Sequence, residues 1–407
     1  MQKLKRRLRL LLISAFCLLS ASQGNAHEFT GYASGQTRLF ANSAQFSGQN
    51  DQSASFAIQP EYYHEFESGS SLALTLFYRL DSQDARRTHF DLREATYLHL
   101  ADDFELRLGV RKVFWGTTEF SHLVDIINQT DLVENLDAED KLGQPMVNIS
   151  FDRDWGTIDL FWLPYFRERT FPGKGGRLRF ANVIDTDNVI YESSKEEMHQ
   201  DFAMRFAKVI GDIDLGLSWF HGTSRDPTFI PDANRSNDAK GRILYQQIDQ
   251  ASLDLSFVAS AWLWKLEALF RSGQGNLQST EADDYFALSG GFEYTLYGIF
   301  GKGWDLGLIA EYMHDQRGDN ALTAFENDIG FGARLALNDV ESTEILLGAI
   351  QDIDASSRTV SIEASRRLGE TWTLEAEIRL FMDQPPTDFF FSLKRDDYMQ
   401  LELKHHF

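Results

Sequence analysis

Cysteine is almost missing from this 407-residue sequence, and Cys17 is the only one. It lies within the first 26 residues, where Lys3, Lys5, Arg6, Arg7 and Arg9 precede an apolar run from Leu10 to Leu19. Gly24 and Ala26 stand three and one positions before a cut ahead of His27, so residues 1–26 read as a cleaved secretory signal peptide. A lipoprotein signal built on Cys17 fits less well. Phe16 precedes it where a small residue belongs, and Leu18 and Leu19 follow where polar residues belong. With Cys17 removed, disulfides and thiolate metal sites are excluded, and no metal or other cofactor is expected.

Basic residues are also scarce. Cleavage after Ala26 leaves 34 Lys and Arg against 61 Asp and Glu, a net charge of −27. That excludes nucleic acid as a partner, because it requires a basic footprint. Long apolar runs are missing too, since no stretch of about eighteen apolar residues follows Ala26 to build a transmembrane helix. A membrane-crossing form of such a chain must be a closed barrel, which satisfies every backbone polar group.

Alternation of period two fills the rest of the sequence. Leu72, Leu74, Leu76, Tyr78 and Leu80 oppose Ala73, Thr75, Phe77, Arg79 and Asp81. Phe104, Leu106, Leu108 and Val110 oppose Glu105, Arg107, Gly109 and Arg111, and the pattern recurs at 213–219, 304–312 and 372–380. Short turns such as 211–212 and 301–303 alternate with longer polar loops such as 115–145 and 166–199. These features predict an all-β transmembrane antiparallel up-and-down barrel over 27–407, with about eighteen strands, or sixteen if the segments at either end do not count. Trp155, Trp262, Trp304 and Trp372 sit at short turns, where a periplasmic aromatic girdle belongs. Pro60 and Pro164 are expected at bulges or strand ends. A periplasmic β-sandwich is the soluble rival, but the polar set is charged along whole strands, which suits a wet lumen better.

The sequence closes on "DDYMQLELKHHF", an alternating strand ending in Phe407. A terminal aromatic there resembles the signal read by the outer-membrane insertion machinery. That resemblance implies an integral outer-membrane protein of a Gram-negative cell, in contact with outer-membrane lipid and lipopolysaccharide.

Arg79, Arg93, Arg107 and Arg111 fall on inward positions of early strands and are the candidate pore-lining residues. The loop 115–145 follows directly, carrying Glu119, Asp125, Asp131, Glu134, Asp137, Glu139 and Asp140 against Lys141. Its apolar residues Leu123, Ile126, Ile127, Leu132, Val133 and Leu136 recur at helical spacing, so it is expected to pack on something rather than extend into water. Folded into the lumen, Glu119, Asp125, Asp131 and Glu134 would face the arginine wall across a constriction. The bland alternative is that the arginines pair with Glu105 and Asp91 to brace the wall while the loop caps the outside.

"DLREATYLHLADDFELRLGVRKVFWG" and the Asp/Asn-rich loop after it resemble porin-like outer-membrane families with an arginine and then a Trp-Gly pair at the end of an early strand. Arg111, Trp115 and Gly116 match. The resemblance implies a channel for diffusion or facilitated passage of a small solute, and no enzymatic activity. Some relatives accompany inner-membrane exporters of the RND type, which implies the alternative of a conduit for lipid or hydrophobic cargo. Phe77, Tyr97 and Phe161 are inward candidates for a sugar slide or simple packing.

Weaker patterns include Asp283-Asp284 with His314-Asp315, which resemble the residues of omptin proteases at a barrel rim. A structural or adhesive barrel is a further reading, with Arg317–Asp319 spelling RGD in an expected exposed loop. The segment 232–243 begins like a calcium loop, but Asn237 and Ile243 replace the required Gly and Glu. Arg167, Arg169, Lys174, Arg177 and Arg179 in loop 166–199 are expected to be solvated and balanced by acids in 185–197.

Overall fold

The computed structural model describes residues 27–230 and 240–407, so residues 1–26, expected to be a signal peptide and containing Cys17, lie outside the described residues, as does Asn237. Eighteen strands form one sheet. They run β1 (His27–Phe40), β2 (Gln52–Glu65), β3 (Ser71–Asp81), β4 (His89–Leu100), β5 (Glu105–Arg111) and β6 (Gln144–Arg153). Next come β7 (Gly156–Leu163), β8 (Asp201–Ile210), β9 (Ile213–Thr223), β10 (Gln247–Ala259), β11 (Trp262–Gln274) and β12 (Asp283–Ile299). The last six are β13 (Trp304–Asp315), β14 (Asn327–Ala336), β15 (Glu344–Asp352), β16 (Arg358–Leu368), β17 (Trp372–Met382) and β18 (Tyr398–His406). Each pairs antiparallel with its neighbours in sequence, and β1 pairs with β18 from Tyr32↔His406 to Phe40↔Tyr398. The sheet is therefore a closed cylinder with no free edge.

The alternation lies as expected, because successive side chains project to opposite faces of a strand. In β3, Tyr78 and Leu80 are exposed outward, while Phe77 and Arg79 are buried within. Outward aromatics gather at the short-turn end. Trp155 stacks on Phe206, Trp262 on Trp264, and Trp372 meets His405 edge-on. Phe407 stacks on Phe29 at 5.9 Å, and its N–H donates to the Gly31 carbonyl, so the last residue belongs to the cylinder. Tyr97 is a correction: it pairs with the outward Leu72 and Leu108 and faces out, away from any solute path.

Pro164 follows the last residue of β7, as expected of a strand end. Pro60 instead lies inside β2 without a bulge. Pairing to β3 skips from Ile58↔Tyr78 to Glu61↔Thr75 in unchanged register, so the missing N–H costs a local gap. The bulge lies in β4, where Thr75 pairs with Glu94 and Leu76 with Leu92, leaving Arg93 as the extra residue. A bulge re-aims a side chain, and here it turns Arg93 into the lumen beside Asp91, with only 3% of the residue exposed.

The longer connections all emerge at one end. There Ile190–Tyr191, Thr228–Ile230 and Arg242–Tyr245 form a small sheet over the mouth. Phe166 and Phe171 are buried against Ile243 and Tyr245, which makes loop 166–199 a folded cap rather than a solvated loop. Among the described residues no helix is long and apolar enough to cross a membrane.

A sealed cylinder resists detergent until heated. The purified chain should migrate faster on an SDS gel when unboiled than when boiled; identical mobility would contradict the closure of β1 on β18.

Candidate functional site

The loop between β5 and β6 enters the barrel and crosses it. It contains no helix, contrary to the spacing of its apolar residues. Its own polar side chains occupy the backbone instead, which makes irregular structure competitive with helix. Asn128 accepts from Val113 N–H and donates to the Arg111 and Leu142 carbonyls. Asp125 accepts from Trp115 N–H, and Asp131 N–H donates to the Asp140 carbonyl, closing residues 129–142 on themselves.

The apolar residues pack inward. Val124, Ile126 and Ile127 are at most 1% exposed and contact an apolar patch on the inner wall of β6–β10, including Met146, Phe161, Phe220 and Ile248. Burying each such side chain is worth about 1.5–3 kcal/mol. Trp115 joins this cluster against Phe161, with the Arg205 guanidinium 5.3 Å from its ring centre.

Charge fixes both flanks. On one wall, four arginines converge on residues 131–134. Arg79 Nε donates to Glu134 at 2.8 Å, and Arg93 Nη2 to Asp131 at 3.0 Å. Arg87 Nε donates to the Val133 carbonyl, and Arg38 Nη2 to that of Glu134. Burial, with Arg38 and Arg79 close by, pushes the Arg87 guanidinium down to about 10. Arg107 pairs with Glu105 and Arg111 donates to Asn148, so these two guanidinium groups brace the wall rather than the loop.

The far wall contributes acceptors. Glu267 on β11 takes N–H donors from Thr117, Thr118 and Val124 and the Thr118 hydroxyl. Glu311 on β13 takes the N–H groups of Glu119 and Phe120. Glu119 itself pairs with Arg334 at 2.6 Å and lies 3.5 Å from Lys265. Gly116 has a φ of +104°, and a Cβ there would stand 2.6 Å from Glu267 Oε1, so the Trp-Gly pair is where the loop backbone passes over that carboxylate.

The expected arrangement is thus corrected in one respect. Asp131 and Glu134 do not face the arginines across a gap but bond to them directly, and Glu119 reaches the opposite wall. Asp125 meets Lys141, at 3.5 Å, within the loop. Glu267, Glu311, Arg334, Arg38 and Arg87 were not singled out by sequence. Strand parity gives the inward face of those on strands, but not what they meet.

Beside the loop, along β11, β12 and β15–β17, lies a cavity of about 350 Å³ whose lining includes Phe120, Leu136, Arg271, Tyr285, Glu363 and Arg379. Inward charges in and beyond the cavity keep access to solvent, with side-chain exposures of 45% at Glu363 and 38% at Glu375 and Arg334. The protease-like residues do not converge. His314 lies on the outward face with Tyr312, while Asp315 points inward to Arg317 at 2.7 Å. The RGD arginine is half-buried, its guanidinium 3.6 Å from the Tyr285 ring centre and paired with Asp315, rather than free in a loop. The cap arginines pair away from 185–197: Arg167 with Asp91, Arg169 with Asp226, and Arg177 with Asp396.

The sequence matches no family model and no curated protein. Among solved structures it is similar to Pseudomonas aeruginosa OpdQ, with a TM-score of 0.53 and 12% identity over 95% of this chain and 99% of that one. A mutant of the Rh. blastica porin covers 94% of this chain and all of its own at 12% identity, with a TM-score of 0.44. The first likeness establishes the fold, an outer-membrane-type up-and-down β-barrel.

Two outcomes test how the loop is held. Glu267→Ala leaves buried loop donors unpaired, which costs about 3 kcal/mol or more; it and Gly116→Ala should both open residues 115–125 to protease, and wild-type resistance in both would refute the anchor. The second concerns pH. Burial, then Glu134 and Asp137, pushes the Asp140 carboxyl up from 3.8 to about 7. The folded form therefore holds this proton more tightly, and its stabilising contribution declines as pH rises from about 4 through 7. Residues 129–142 should exchange amide hydrogens more slowly at pH 6 than at pH 8 after correction for intrinsic rates, and Asp140→Asn should abolish the difference.

Proposed function

We propose that this protein is a porin-like channel of the outer membrane, passing a small solute through a lumen that the β5–β6 loop narrows. The observation that carries the reading is the loop itself, anchored to both walls by Arg79, Arg93, Glu267 and Glu311. A segment held across a water-accessible cylinder reduces its bore and sets the charges a solute must pass.

The loop crosses off-centre. It presses Val124, Ile126 and Ile127 on β6–β10 and leaves the cavity against β11, β12 and β15–β17. That cavity carries Arg271, Arg317 and Arg379, whose charges are largely matched by Asp226, Asp315 and Glu377. Paired charges of both signs on a narrowed path favour size and local polarity over bulk ion selectivity.

Planar-bilayer recording reads this function directly. Purified protein should give an open current, and deleting 123–138 should raise the unit conductance severalfold. A silent bilayer with correctly folded protein would sink the channel reading, and unchanged conductance in the deletion would place the loop outside the path.

A further inference from the structure

Arg179 stands apart from the other arginines around the cavity. Arg169 and Arg271 share Asp226, Arg317 takes Asp315 and Arg379 takes Glu377. Among the described residues Arg179 has no carboxylate partner, although only 7% of it is exposed. Its Nη1 donates to the carbonyls of Phe180 and Ala181 at 2.8 Å, and its guanidinium lies 4.4 Å from the Phe46 ring centre. Its Nε is buried and has no hydrogen-bond partner among the described residues. The nearby acids are already engaged: Asp396 by Arg177 Nε at 2.6 Å, and Asp84 by the N–H groups of Gly173 and Arg86. Burial holds the guanidinium below its usual value, and Asp396 and Asp84 oppose this only in part.

A buried cation without a partner is costly. Arg179 lines the cavity, so the missing anion can come from there. A guanidinium with donors left unpaired matches a carboxylate. Next to it, rings from three segments meet edge-on: Phe180 with Phe229 at 4.9 Å, Phe180 with Phe389 at 5.4 Å, and Phe389 with Phe390 at 5.8 Å. These rings are half-buried and belong to the same cavity. A volume of about 350 Å³ sits at the small end of the range for small-molecule sites.

We propose that the cavity binds an amphipathic carboxylate, its head on Arg179 and its apolar body along Phe180, Phe229, Phe389 and Phe390. The proposal rests on the channel reading and names the solute class of that path. Aromatic and aliphatic acids share this chemistry, and the probes separate them.

The test uses the full-length mature protein in detergent and in bilayers. Titration with 3-phenylpropionate and with decanoate should show binding and block of current, while 3-phenylpropanol and decanol bind at least about tenfold more weakly. Arg179→Gln should bring both acids down to the level of the alcohols, Arg179→Lys should retain part of the difference, and Phe389→Ala should weaken acid and alcohol alike. Tighter binding of either acid assigns the body as aromatic or aliphatic, and both results support the site. Equal affinity for acid and alcohol overturns it, as does unchanged acid affinity in Arg179→Gln with wild-type gel mobility and conductance. A normal current without acid binding defeats this inference alone; no current from folded wild-type protein defeats the channel reading beneath it.

Discussion

Closure of the hydrogen-bond ladder is the constraint on which the rest of this protein depends. Once β1 pairs with β18, every strand has a neighbour on both sides. No row of N–H and C=O groups then faces hydrocarbon, where each unpaired group costs several kcal/mol. Only under that condition can Tyr78, Leu80, Trp162 and Leu217 point outward without inviting aggregation. Closure also creates an interior, and with it room for a polar row that would otherwise have nowhere to go.

The interior is organised by buried charges rather than by a hydrophobic core alone. A single buried ion pair is a poor source of stability, because desolvation offsets attraction. Its value here is positional. Arg79 and Arg93 on one wall, with Glu267 and Glu311 on the other, fix where the irregular connection 112–143 can lie. Removing either partner strands a charge or donor without water, so the loop is held by the cost of leaving as much as by the gain of staying. The bulge at Arg93 and the positive φ of Gly116 are small backbone departures that make these contacts reachable.

Apolar packing chooses the side. Val124, Ile126 and Ile127 match Met146, Phe161 and Ile248, so the loop leans on β6–β10 and a cavity remains along β11–β17. The cap over the mouth adds Phe180 and Phe229 to that cavity, and Arg179 with them. The barrel wall, the crossing loop and the lining of the cavity thus come from separate segments that meet only in the closed barrel.

The sequence by itself determined the class of fold, the face of nearly every strand and the inward aim of Arg79, Arg107 and Arg111, whereas that of Arg93 depends on a bulge. Period-two alternation is a local property, and the next residue always points the other way. Helical spacing in 123–136 misled, because Asn128, Asp125 and Thr118 bond the backbone and leave no regular helix to form. Tyr97 misled because the bulge at Arg93 shifts the alternation of β4 by one residue, which turns Tyr97 outward. Only the tertiary structure decided that Glu134 reaches Arg79, that Glu267 receives the far side of the loop some 140–150 residues away, and that Arg179 is left without an anion. Those facts depend on which inward side chains stand opposite one another across a lumen, and that distance is set by closing the whole sheet rather than by any short stretch of it.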